Sequence, residues 1–182
     1  MSQSQPSRLE EALKPYALSF EARENYTAVV VRPEAIRESV KTLMGLGYDY
    51  LLSISGVDLP KEDKIKVVYH FTRSSDPRSL VALEVHLPRS NPVVDSIHDI
   101  VPAAYYQERE EHEMLGIEFR GHPDKRHLLL PEDWPEGTYP LRKDFKVPDE
   151  PTVSKKQSKP IWELKPELKP KEDAKKEGEG GS

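Results

Sequence analysis

The sequence has 182 residues, with 27 Lys and Arg against 32 Asp and Glu, a net charge of −5 and no cysteine. Zero cysteine excludes disulfides, thiolate metal sites, cysteine-held iron–sulfur clusters and a cysteine nucleophile, and the acidic balance argues against a generic phosphate-backbone binder. No apolar run reaches the roughly 18–20 residues that span a bilayer, and Met1–Ser7 is polar, so the expectation is one soluble, cytosolic domain.

Ser7 to Pro15 reads as a short helix, capped by Ser7 with Glu10 at the capping-box position and with Leu9 and Leu13 at i, i+4. Leu18–Ala22 and Tyr26–Val31 read as strands around Arg23–Glu24–Asn25. Pro33 suits the first turn of a helix through about Met44, whose apolar face is Ile36, Val40, Leu43 and Met44, and Gly45 and Gly47 end it. In Tyr48–Val57 a period of two places Tyr48, Tyr50, Leu52 and Ile54 on one face. Lys64–Thr72 alternates through Ile65, Val67, Tyr69 and Phe71, and Leu80–Leu87 through Val81, Leu83, Val85 and Leu87. A short turn carrying Ser74, Asp76 and Pro77 joins the last two as an antiparallel hairpin. Asn91 is placed to cap a helix from Pro92, with Val93, Val94, Ile97 and Val101 on one side. After Pro102 a second helical stretch runs to Leu115 and stops at Gly116. The expected fold class is α+β: a mostly antiparallel or mixed sheet of about five strands with helices packed on it.

From Gly121 to Pro148, two glycines and five prolines leave no room for a long helix. Leu128, Leu129, Leu130, Trp134, Tyr139, Leu141 and Phe145 in the same segment are nonetheless too apolar to lie free in water. Leu, Ile, Val and Phe supply 38 of residues 1–145 but only 5 of residues 146–182. A segment with so little to bury cannot offset its ordering entropy alone. The chain therefore divides into an α+β domain over 1–120, an extended docking segment over 121–148 and a Pro/Lys/Glu-rich arm over 149–182. In the arm, Ile161, Trp162 and Leu164 are isolated apolar anchors among prolines, and the end from Lys171 is expected to be disordered.

Tyr105–Leu115 reads Tyr-Tyr-Gln-Glu-Arg-Glu-Glu-His-Glu-Met-Leu. One reading is a solvated helix with charge pairs at i, i+4. A second is a metal site of Glu108, Glu111, His112, His122 and His127, which would make the chain a small metal-dependent hydrolase built on the Glu108/His112/His122 cluster. The helical zincin spacings are absent, however, and so are a nucleophile elbow, a phosphate-binding glycine loop and a dinucleotide fingerprint.

Across residues 108–145 the pattern Glu108-Arg109-Glu110, Glu113-Met114-Leu115, His122, Arg126, Leu128-Leu129, followed by Leu-Leu-Pro-Glu-Asp-Trp and Pro-Leu-Arg-Lys-Asp-Phe, resembles the signature of the 30-kDa subunit of respiratory complex I. That family serves the NADH-quinone oxidoreductases and has counterparts in energy-converting membrane-bound hydrogenases. The resemblance implies a cofactor-free subunit, not catalytic by itself, in the hydrophilic arm of a membrane redox complex. It would be peripheral on the cytoplasmic side, with no membrane span and no nucleic acid. Its partners would be the large hydrogenase-like subunit and neighbouring iron–sulfur subunits. The expected interface residues are Glu108, Arg109, Glu110, Glu113, His122, Arg126, Leu128, Leu129, Trp134, Arg142 and Trp162, with the helix charges pairing both to the extended segment and to the partner. His112-Glu113 stands where the commonest form has an aromatic residue and then Asp. Charged residues make up 32% of the chain, with two Asn and four Gln, a thermophile-type bias. Both features lean toward a hydrogenase-type complex over a NADH-quinone oxidoreductase.

Overall fold

Alternation of apolar and polar residues in five segments builds one sheet. The computed structural model describes residues 5–147, so the expectations for Trp162 and the arm lie outside the described residues. Strands β1 (Ala17–Ala22), β2 (Tyr26–Val31), β3 (Tyr50–Leu59), β4 (Lys64–Arg73) and β5 (Asp76–Pro88) assemble in the order β1-β2-β5-β4-β3. The outer pairs are antiparallel, and β2 and β5 pair in parallel, which makes the sheet mixed. A parallel pair cannot be closed by a tight turn. Helix α2 (Ile36–Gly45) and the β3–β4 hairpin lie between β2 and β5 in sequence and make that crossover.

One face of the sheet holds the core. Val29, Val31, Leu51, Ile54, Ile65, Val67, Tyr69, Phe71, Val81, Leu83, Val85 and Leu87 meet Leu9 and Leu13 of α1 (Gln5–Leu13), Ile36, Val40 and Leu43 of α2, and Ala104 and Leu115 of α3 (Ala104–Leu115). The i, i+4 leucines of α1 are buried as the spacing requires, although that helix begins at Gln5 and includes Ser7 instead of being capped by it. Pro33 opens a single 3₁₀ turn, Pro33–Ala35, which leads into α2.

Two expectations are corrected. In β3 the register shifts between Leu51 and Ser53. An extra residue in a strand breaks the period of two, so Leu51 and Ile54 both face the core, while Tyr50 and Leu52 are 56% and 48% exposed. The helix expected from Pro92 is absent. Val93–Asp95 instead forms a short strand, β6, parallel to β7 (Glu118–Arg120), with Val94 and Phe119 paired and both buried. Adjacent β-branched residues are stiff at χ1 and favour extended backbone, and the strand after α3 supplies the partner. A single helical turn remains at Ile97–Val101. The β6–β7 pair brackets α3 and holds it beside the edge strand β3.

Candidate functional site: a charged helix that clamps an irregular segment

Helix α3 is neither solvated nor conventionally amphipathic. Glu108, Arg109, Glu111 and Glu113 are buried together with Ala104 and Leu115, while Tyr106 and Glu110 face outward. Buried charges need hydrogen-bond partners, and each of these side chains has a different task.

Glu108 is fully buried. Its Oε1 accepts the Ile97 amide at 2.8 Å and its Oε2 accepts the Ser96 hydroxyl, so the carboxylate ties α3 to the turn after β6. Burial pushes its pKa up, and the bonds from Ile97 and Ser96 oppose the shift. On the next face, Gln107 and Glu111 sit four residues apart against the open edge of β3. Gln107 Oε1 accepts the Ile54 amide at 2.5 Å, and Glu111 takes the amide of Gly56, two residues along the strand. Two strand residues and four helix residues cover nearly the same length, so the helix terminates the sheet edge with side-chain acceptors. Gly56 lets this happen, because a Cβ there would collide with Leu115 and Glu111. Glu111 Oε2 has no hydrogen-bond partner among the described residues, and burial raises the pKa of this carboxyl to about 7.

Arg109 and Glu113 hold the segment that follows β7. The Arg109 guanidinium donates to the carbonyls of Arg126 (2.8 Å from Nη2) and His127 (3.0 Å) and pairs with Asp124 at 3.3 Å. Glu113 accepts the amides of Leu128 at 2.9 Å and Leu129 at 2.7 Å. Carbonyls are therefore held by a cation and amides by an anion over four consecutive residues, in a stretch with no sheet or helix to satisfy its backbone. Asp124 also receives the Arg126 guanidinium and the Tyr105 hydroxyl, and the Arg126 contact holds its carboxyl below the usual carboxylate range. His122 accepts the Asp124 amide on Nδ1 and donates from Nε2 to the Tyr105 carbonyl, so both ring nitrogens are used.

A second attachment closes the C-terminal end of α3, where helix carbonyls lack intrahelical donors. The Leu141 amide donates to the Met114 carbonyl at 3.1 Å, and Arg142 Nε donates to that of Leu115 at 2.8 Å. The Arg142 guanidinium lies 4.5 Å over the ring of Tyr139, and that ring occupies the space where a Cβ of Gly116 would stand. With φ at +74° as well, position 116 has two independent reasons to be glycine. A third attachment is made by Asp58 at the end of β3. Arg89 grips its carboxylate with Nε at 2.7 Å and Nη2 at 3.0 Å, the Lys143 amide adds a bond at 2.7 Å, and Arg89 also reaches Asp144 at 2.8 Å. The Arg89 contact draws the Asp58 pKa down.

The residues singled out in the sequence thus separate. Glu108, Arg109, Glu113 and His122 point into the chain's own structure. Arg126 is largely exposed and pairs with Asp124. Leu128 and Leu129 are 36% and 61% exposed on the clamped stretch. Trp134 is half-buried, donates to the Thr138 carbonyl and packs near Phe145. Arg142 caps α3 and Glu110 faces outward. The five donors of the metal reading do not converge: His112 Nδ1 bonds the Ile117 carbonyl, His127 lies against Glu113, and no three metal-ligating side chains are grouped among the described residues. Asp58, Arg89 and Gln107 carry no signal of their roles in the sequence, and Tyr139 stands there only among the apolar groups of the extended segment. Asp58 and Arg89 are 31 residues apart in the chain, and no spacing rule joins them.

The sequence profile of the respiratory-chain NADH dehydrogenase, 30 Kd subunit, matches residues 29–151. Among curated relatives, a NADH-quinone oxidoreductase subunit of Roseiflexus castenholzii is 39% identical over 142 residues, 76% of this chain and 80% of that protein. An F(420)H(2) dehydrogenase subunit of Methanosarcina mazei is 39% identical over 116 residues, 63% of this chain and 72% of that protein. A chain in the structure of the membrane-bound sulfane sulfur reductase, an archaeal respiratory membrane complex, superposes with a TM-score of 0.70 at 27% identity, covering 80% of this chain and 87% of that one. The Nqo5 trypsin-resistant fragment superposes at 0.56 with 28% identity, covering 65% of this chain and 97% of the fragment. The matched residues run from within β2 through β3, β4 and β5 to the whole clamp, and the chain therefore belongs to the respiratory-chain NADH dehydrogenase 30-kDa subunit family.

Proposed function

We propose that this chain is a cofactor-free structural subunit in the hydrophilic arm of a complex I-like membrane redox complex, docked on the large hydrogenase-like subunit and lying peripherally on the cytoplasmic side. The observation that carries the reading is the clamp. Arg109 and Glu113 are committed to fixing an irregular stretch whose leucines face outward. A rigid irregular segment presenting aliphatic groups is what a docking surface requires, since prior ordering lowers the cost of association. The relatives named above are subunits of multi-subunit oxidoreductases, and no helix among the described residues is long and apolar enough to cross a membrane. Within this reading, residues 1–120 are the domain, 121–148 the docking segment and 149–182 an arm that lies on a partner through Trp162. The charge-rich composition with two Asn and four Gln, together with the His112-Glu113 departure, supports the lean to a thermophile hydrogenase-type assembly over a quinone reductase.

Affinity purification of the tagged chain from solubilised membranes tests this. Iron–sulfur subunits and a large hydrogenase-like subunit should co-purify, and metal analysis of the isolated chain should find no stoichiometric metal. A tightly held stoichiometric metal with hydrolase activity, and no co-purifying redox subunits, would replace the structural reading with the enzymatic one.

A further inference from the structure

One surface of α3 takes no part in the clamp. Tyr106, Glu110 and Met114 follow one another at i, i+4 and i+8 and so share a face. Tyr106 is 61% exposed, and Glu110 is exposed and forms no ion pair with any described residue. The clamp sets further apolar groups beside this ridge. The Leu129 amide is anchored by Glu113, one turn from Glu110, and the Leu141 amide by the Met114 carbonyl. Leu128, Leu129 and Leu141 are 36%, 61% and 56% exposed. The result is a ridge with one carboxylate among exposed apolar side chains and no cation paired to it among the described residues.

An acid in that setting constrains what can cover it. Burial among apolar groups strips water from the carboxylate, and an unpaired buried charge is strongly unfavourable. Anionic membranes and nucleic acids are repelled by it. A two-fold contact of the ridge with a second copy would bring Glu110 against its own counterpart, like charge on like. We propose that the occupant is an apolar patch of a neighbouring protein subunit that carries one central arginine or lysine, which pairs with Glu110. Arginine is the better fit, because its planar fork holds a carboxylate in two bonds while its stem and faces pack against apolar groups. This rests on the docking reading above and adds to it the chemistry of the partner and the residue that selects it.

The test replaces the chain in its own complex with tagged Glu110→Lys, Glu110→Gln and Leu129→Asp versions. The subunits retained after detergent extraction are then quantified. Glu110→Lys should lose about tenfold or more of the co-purifying neighbours, since it sets cation against cation, and Glu110→Gln should lose less. Each isolated Glu110 variant should melt like the parent, because Glu110 bonds to no described residue. Full retention by Glu110→Lys together with loss by Leu129→Asp overturns the cation pairing and leaves docking standing. Full retention by both overturns both. If Glu110→Lys melts lower than the parent, the shape-conserving Glu110→Gln decides, and parental retention by it overturns the pairing. An isolated parent that sediments as a dimer which Glu110→Lys dissociates assigns the ridge to a second copy and also overturns it.

Discussion

Glu111 shows how one buried group links the fold to pH. Its folded pKa of about 7 lies above the ordinary value of 4.5 because burial disfavours the anion. The folded state therefore binds the proton more tightly than the unfolded state. The stability from this group is fully present below about pH 4.5 and is lost as pH rises toward 7, with a cost of order 3 kcal/mol above it. Glu111→Gln removes that dependence. Its melting temperature should gain on the parent between about pH 5 and pH 7 and level off above that, and a gap that stays constant from about pH 5 to pH 7 would contradict the account. Arg109 and Arg126 make the complementary comparison. Arg109→Ala leaves Asp124 and two carbonyls without their buried donor, a loss of ~3–5 kcal/mol by analogy with other broken buried pairs, whereas Arg126 is 84% exposed and its removal should barely change the melt. Equal destabilisation by the two substitutions in chemical denaturation would show that the Arg109 contacts are not the stronger tie.

At the scale of elements, α3 is an organiser. Its side chains seal the β3 edge with Gln107 and Glu111, tie the turn after β6 with Glu108, hold residues 126–129 with Arg109 and Glu113, and leave Tyr106 and Glu110 exposed beside a half-buried Met114. An open edge strand is a template for unwanted pairing, so covering it with side-chain acceptors also protects the subunit before assembly. The C-terminal end depends on Gly116. Gly116→Ala must adopt φ near +74°, at about 1–2 kcal/mol, and must also displace the Tyr139 ring. It should raise amide exchange at Leu141 and lower the melting temperature, with β4 and β5 protected as before. Unchanged exchange at Leu141 would mean that residues 139–142 stay seated without Tyr139. The β3 bulge and the β6 strand belong to the same scale. Leu51 and Ile54 share a face only because the register shifts, and Val93–Asp95 is extended only because β7 pairs with it. Neither condition is local, so periodicity over a few residues misplaces both.

At the scale of the whole described structure, the mixed five-stranded sheet has apolar residues of the described helices α1, α2 and α3 on one face. The opposite face carries Ala28, Ala82, His70 and Ser53 in one cross-strand row and Val30, Glu84, Val68 and Ser55 in the next. Alternation in β4 and β5 was readable directly, since a strand with one face on a core must repeat at period two. The chain's own composition and patterning determined that it is an α+β domain without cysteine chemistry, and the Glu-Arg-Glu to Arg-Lys-Asp-Phe run determined its family. Only the tertiary structure decided what those charges do. Arg109 meets Arg126 and His127, Glu113 meets Leu128 and Leu129, and Asp58 meets Arg89 and Lys143 across gaps of 15 to 85 residues. A charged side chain on a helix has the same sequence pattern whether it faces water or a backbone. The difference is made by which distant segment the fold brings against it.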